Sequence, residues 1–348
     1  MDDYKKQQIL ILFSNWMQVT EVKESKQTLI LSGFLKPGET ADTVRIKAKH
    51  LAPKIRHSRD GYTDIFTVQF QRTVFGIPRI NLLLFIATIF TTLFAGALME
   101  GANPLENPAL ILQGIPFSVT LLLILGVHET GHFLLARKHH VDATLPYFLP
   151  APTIIGTFGA FIKMRSPVRR RRALVEIGAA GPVAGFLVAV PALFIGLSLS
   201  TITPKLAETG VQLGESILMK IATALIYPGL SDQMDIMLHP VAFAAWIGML
   251  VTMLNLLPIG QLDGGHIAYA LLGKWYKKIA WGALGAILIL SIFSINWLVW
   301  AVLVYFLTRM KHPPILDEYA PVTSYEKTIG IVALLIFMLT FIPIPFKF

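Results

Sequence analysis

His128-Glu129-Thr130-Gly131-His132 is an H-E-x-x-H motif. On a helix, residues four apart share a face about one turn apart, so two imidazoles at this spacing can bind one Zn²⁺, and the adjacent glutamate is placed to act as a base on water there. About 130 residues downstream, Asn255-Leu256-Leu257-Pro258-Ile259-Gly260-Gln261-Leu262-Asp263-Gly264-Gly265 offers Asp263 as a third candidate ligand. A His₂Asp set leaves one tetrahedral position open, as catalytic zinc requires and structural zinc does not. The chemistry this suits is metal-assisted hydrolysis, with Glu129 taking a proton from water and delivering it to a leaving amine. Asn255 is a donor for a tetrahedral oxyanion or, equally, a tether for broken backbone. One zinc per chain is expected.

The elements that must position these groups belong to a membrane protein. Hydrophobic residues make up 54% of the 348, charged residues 15%, and the mean hydropathy is +0.61. Residues 117–127, leading into the first motif, carry no charge. Apolar runs near the 20 residues that cross about 30 Å of hydrocarbon cover residues 80–99, 115–136, 173–199, 241–257 continuing into 266–272, 279–293, 297–307 and 329–346. That predicts about seven crossings, in an α-helical polytopic membrane fold. Arg137, the first charge after the motif, is nine residues beyond His128, so the site lies about 13 Å below the inner surface at 1.5 Å per residue. An ionisable cluster at that depth is costly unless paired, metal-bound or wetted, which makes it a functional pointer. Pro258, Gly260, Gly264 and Gly265 interrupt the later apolar run, predicting a helix break that turns Asp263 inward.

The formal charge of +9 does not call for nucleic acid, because the basic residues sit where membrane topology puts them. Arg137, Lys138, Lys163, Arg165 and Arg169 to Arg172 flank the motif helix and the next span, and Lys274, Lys277, Lys278, Arg309 and Lys311 mark later loops. Residues 101–113 contain no Lys or Arg, and residues 201–238 set Lys205 and Lys220 against Glu208, Glu215, Asp232 and Asp235. The first group is therefore expected to be cytoplasmic, the second external, and the amino terminus inside. No cysteine is present and no cleavable leader is evident.

Residues 1–75 differ in composition, with charges interleaved among apolar positions. Residues 26–34 and 62–70 alternate like strands around residues 41–55, which have helix-like periodicity, predicting a small cytosolic α+β domain. Residues 76–348 form the membrane-embedded part, with a core over about 80–273 and further helices over 279–346. Within it, residues 144–167 are rich in Pro and Gly, too broken for a spanning helix, while residues 157–164 can be extended. A re-entrant β-hairpin beside the metal site fits, an interfacial loop being the alternative. The patch Gly178-Ala179-Ala180-Gly181-Pro182-Val183-Ala184-Gly185 suits close helix packing.

Together these motifs resemble the site-2 protease family of intramembrane zinc metalloproteases, peptidase family M50. The first motif matches its H-E-x-x-H, and Asn255-Leu256-Leu257-Pro258 through Leu262-Asp263-Gly264 matches its N-x-x-P-x-x-x-L-D-G. Gly156-Thr157-Phe158-Gly159-Ala160 followed by Ala180-Gly181-Pro182-Val183-Ala184-Gly185 resembles the PDZ-less branch with plastid and cyanobacterial members. The likeness spans roughly residues 80–272. It implies His128, His132 and Asp263 as zinc ligands, Glu129 as catalytic base, and cleavage of a single-pass protein within or near its membrane segment. It also implies that Thr157, Phe158, Gly159, Ala160 and Phe161 pair with an unwound substrate. Physics agrees, since a helical substrate has its amides closed in internal bonds and an added strand would hold it extended. Residues 201–238 are too few for a PDZ domain, so PDZ filtering of substrates is not expected.

Among the other histidines, His139 and His140 are expected at a solvated interface, His239 at a helix start, and His50, His57 and His312 in exposed loops, while His266 is close enough in sequence to reach the site. Two rival readings are a metal transporter and a binding protein that holds membrane segments without cutting them. Glu129 is surplus to transport, and the intact ligand set with Glu129 disfavours a non-cutting relative.

Overall fold

The structure, a computed structural model, describes residues 3–25, 28–48, 54–69, 77–168, 170–204, 212–231, 233–308, 310, 312–313, 315 and 321–347. Lys26, Gln27, His50, Phe70, Arg169, Asp232, Arg309, Lys311 and residues 205–211, on which parts of the sequence reading fall, lie outside the described residues. The chain divides into two compact units, Met1–Gly76 and Ile77–Phe348.

The first unit is a four-stranded antiparallel sheet with helices. Its elements are α1 (Asp3–Trp16), β1 (Met17–Ser25), β2 (Thr28–Leu35), α2 (Ala41–Ala48), β3 (Lys54–Asp60) and β4 (Thr63–Gln69), with strand order β1-β2-β4-β3. Burial alternates along β2 and β4, so Leu29, Leu31, Phe66 and Val68 turn to one face. There they pack with Ile9 and Phe13 of α1 and Val44 and Ala48 of α2. The helical periodicity read over residues 41–55 is cut short: the helix ends at Ala48, and Lys54 and Ile55 belong to β3, paired with Gln69 and Val68. His57 is likewise in a strand rather than a loop, its Nε2 2.8 Å from the buried Asp64 carboxylate.

The second unit is mostly helical. Among the described residues, three helical runs are long and apolar enough to cross a membrane: Arg79–Met99 (α3), Pro108–Lys138, whose α-helical part is Ile115–Lys138 (α4), and Arg171–Ser198 (α5). Only 28% to 39% of their most apolar windows is buried, so most of this apolar surface faces outward, as lipid requires and water does not. Shorter helices follow: α6 (Ile217–Ile226), α7 (Pro240–Asn255), α8 (Asp263–Leu272), α9 (Tyr276–Leu290), α10 (Ile295–Thr308) and α11 (Ser324–Thr340). The sequence reading of residues 201–238 as a loop overlooked α6, which follows Ser216, whose hydroxyl accepts from the Met219 amide as an N-cap. Thr201–Pro204 and Met234–Met237 flank it as an antiparallel pair.

Helix α5 is central, packing against α4, α7, α8 and α11. Pro182 and Pro191 lie inside it. Between α4 and α5, β5 (Tyr147–Pro150) and β6 (Thr157–Phe161) form an antiparallel hairpin, with Tyr147 opposite Phe161 and Phe148 opposite Ala160. The second motif is split across two helices: Asn255 ends α7, residues 256–262 are non-helical, and Asp263 opens α8. Gly260, at φ 58°, makes the turn in the left-handed region that side chains avoid.

Candidate metal centre

Helix α4 brings His128, Glu129 and His132 to one buried place, at 3%, 6% and 6% exposure. Their donor atoms lie within 4.8 Å of one another. The break before α8 delivers Asp263 to the same point: its carboxylate oxygens are 3.3 Å from His128 Nε2 and 3.3 Å from His132 Nε2, and the two nitrogens are 3.1 Å apart. Donors bound at about 2.0–2.2 Å around one tetrahedral ion stand about 3.3–3.6 Å from each other. The two carboxylate separations, each to a different oxygen of Asp263, meet the lower end of that range and the nitrogen–nitrogen one lies just below it, so the donors close on one point, and two imidazoles and a carboxylate are a set that zinc takes.

The imidazole of His132 is oriented from behind. Its Nδ1 is 2.7 Å from the Ile177 carbonyl. A carbonyl only accepts, so Nδ1 carries the hydrogen, and in the neutral ring that binds a metal Nε2 keeps its lone pair on the Asp263 side. Room for this ring comes from Gly181, one helical turn along α5, where a Cβ would overlap the imidazole itself. Gly185, a turn further, leaves corresponding space beside His128. The small-residue patch read as packing thus also leaves room for the His128 and His132 rings. Ile177 was missed because a backbone carbonyl has no signature in sequence.

Glu176, also overlooked, is a buried carboxylate that accepts from Lys138 at 3.0 Å and Arg172 at 2.7 Å and lies 2.9 Å from His139 Nε2. It ties the end of α4 to the start of α5. His139 is therefore half-buried in this network and not simply solvated. His239 caps α7, its Nδ1 accepting from the Val241 amide.

Asn255 and the hairpin complete the surroundings. Asn255 Nδ2 is 3.4 Å from His128 Nε2, on the rim of the donor triangle. Ile162, just past β6, lies near the Glu129 carboxyl. Thr157 is buried and fixes the hairpin, donating to the Leu149 carbonyl at 2.7 Å while its hydroxyl accepts from the Gly159 amide at 2.9 Å. Phe161 stacks on Tyr147, Ala160 is half-buried, and Phe158 is 72% exposed. Among the described residues β6 pairs with β5 alone, leaving its other edge without a strand. His266 turns to His312, with Nδ1 to Nε2 at 2.7 Å, rather than to the donor triangle, and His312 is half-buried rather than looped into solvent.

Residues 116–295, just over half of the chain, match the family model Peptidase family M50. The chain is 34% identical over 250 residues to the probable zinc metalloprotease EGY2, chloroplastic, of Arabidopsis thaliana, covering 70% of this chain and 44% of that protein. It is 32% identical over 273 residues to a protein of the same description from Oryza sativa subsp. indica, covering 76% and 49%. Identity to the probable zinc metalloprotease EGY1, chloroplastic, of Arabidopsis thaliana is 31% over 263 residues, covering 70% and 46%. The chain spans about half the length of the curated relatives it matches. No solved structure matches it significantly. With the family match covering the donor triangle and the hairpin alike, the chain belongs to peptidase family M50, the site-2 proteases.

Proposed function

We propose that the protein is an intramembrane zinc metalloprotease that hydrolyses a peptide bond within or near the membrane segment of a single-pass membrane protein. The observation that carries this reading is the donor triangle, with edges of 3.1 to 3.3 Å and Glu129 beside it. His128, His132 and Asp263 would hold one zinc per chain. Its chemistry when bound is Lewis acidity, which brings the pKa of a water toward about 7 and polarises a carbonyl. Glu129 takes the proton of the attacking water and hands it to the amide nitrogen as the C–N bond breaks, so one carboxylate serves as base and then acid. Asn255, with its amide at the rim, donates to the developing oxyanion.

The free edge of β6 holds the substrate extended, with Thr157, Phe158, Gly159, Ala160 and Phe161 along it. Its exit at Ile162 lies near Glu129, so a strand added there would pass the base. The hairpin is re-entrant in this reading, and about seven segments cross the bilayer, α7 with α8 making one interrupted crossing. Residues 1–75 form a cytosolic domain and residues 76–348 the membrane protease. The zinc dependence in the relatives' names supports the same reading.

Glu129→Gln is the test. Wild type should cut a model single-span substrate in liposomes, and the variant should lose about 10²- to 10⁴-fold in rate while retaining zinc. A variant that cuts as fast as wild type removes Glu129 as the base, and wild-type protein that moves metal across the membrane without cutting removes the protease reading.

A further inference from the structure

We infer that His312 is a positioning residue for Asp263, anchoring the helix that presents this donor from a part of the chain beyond the family match. The inference rests on Asp263 being a zinc ligand. His312 lies between α10 and α11, past residue 295 where the match ends.

The hydrogen-bond roles follow from one carbonyl. His312 Nδ1 is 2.7 Å from the Pro313 oxygen, which only accepts, so Nδ1 carries the hydrogen and Nε2 of the neutral ring is bare. That Nε2 accepts from His266 Nδ1 at 2.7 Å. His266 is buried on α8, three residues beyond Asp263. The same imidazole stacks on Tyr269 of α8, with centroids 4.1 Å apart and planes at 14°. Tyr276 lies edge-on to His312 and Tyr269 and donates its hydroxyl to the Gly260 carbonyl at 2.9 Å. One ring cluster thus grips α8 at two side chains and the turn before it at its backbone.

Asp263 needs such a grip because it is poorly held by its own chain. It is the first residue of α8, its N-cap Leu262 makes no side-chain cap bond, and residues 256–262 before it are non-helical. A metal ligand must nevertheless stay within about 0.5 Å of its place. On α5, Ile177 orients His132 and its neighbour Gly178 leaves the space into which His266 packs. Both arms of the donor set are therefore indexed to adjacent residues of α5, the Asp263 arm through the His266 and His312 pair.

The test uses the full-length, zinc-loaded protein in detergent and reads zinc release to a chelator, together with the thermal midpoint of the zinc-free protein. His312→Ala should release zinc roughly tenfold faster, the low end of what losing a direct partner of a metal ligand costs in affinity, with the zinc-free midpoint unchanged. His312→Gln, which keeps an acceptor, should restore most of the retention. His312→Phe, which keeps only the stack, should not. His312 borders a cavity of about 500 Å³, which gives these side chains room. Release from His312→Ala within twofold of wild type, alongside rapid loss from Asp263→Ala, overturns the role of His312 and leaves the ligand reading standing. Full retention by Phe, or faster release that only tracks a falling zinc-free midpoint, also overturns it. Retention by Asp263→Ala overturns the ligand reading and the inference with it.

Discussion

His132 donates its Nδ1–H to the Ile177 carbonyl at 2.7 Å, where α4 and α5 approach closely at Gly131 and Gly181. The carbonyl belongs to a helix whose role in sequence reads as packing, yet it fixes the plane of a ring in the candidate donor set. Loss of this close approach should therefore reach the chemistry without touching a ligand.

Gly181→Ala is expected to empty the site. The added methyl would fall on the His132 imidazole, so either the ring or the α4 to α5 spacing must shift. Misplacement by about 1 Å can cost about 10²-fold in rate, and zinc content should fall with it. Metal analysis and cleavage assays on purified protein check this, and a variant with full zinc and wild-type rate would show that the interface yields without disturbing the donors.

Zinc stoichiometry separates ligands from the base. Wild type should bind close to one zinc per chain, His128→Ala and Asp263→Ala should lose most of it, and Glu129→Gln should keep it. The donor distances support this split, since Asp263 lies 3.3 Å from both histidine nitrogens. Stoichiometry unchanged by both ligand substitutions would remove the site.

The donor triangle was legible in sequence because its parts are side chains at diagnostic spacings: His128 and His132 by helical period, Asp263 by the Pro and Gly residues that break α7 from α8. What holds the triangle was not. Ile177 acts through its backbone, Gly181 by having no side chain, and His312 through a contact with His266 across 46 residues, and none of these leaves a local pattern. Elements were lost for similar reasons. In α6 the apolar residues Leu218, Met219 and Ala222 are buried while Ile217, Ile221 and Leu225 are exposed, and ten residues are too few to be read as a crossing. The end of α2 was overrun because Ile55, seven residues beyond Ala48, continues its apolar spacing while pairing with β4.

The topology expected from the charge asymmetry can be checked on a chain that has no cysteine of its own. Arg170 and Glu215 are both exposed. A cysteine at Arg170 should be labelled by an impermeant reagent from the amino-terminal, cytosolic side, and one at Glu215 from the opposite side. Labelling of both from one side would overturn the assignment.

The edge of β6 supplies the sharpest test of substrate capture. A strand edge recognises a substrate by backbone hydrogen bonds, and proline cannot donate to such a ladder. Phe161 is a compromised place to test this, because its ring stacks on Tyr147 at 5.4 Å and any substitution also removes that packing. Phe158 is 72% exposed, so its replacement costs little burial. Phe158→Pro should abolish cleavage of a membrane-embedded substrate while zinc content and the thermal midpoint hold. Phe158→Ala, which keeps the amide, should be much milder. Equal activity of the proline and alanine variants would mean that the backbone of β6 does not bind the substrate, and that Phe158 serves, if at all, through its ring.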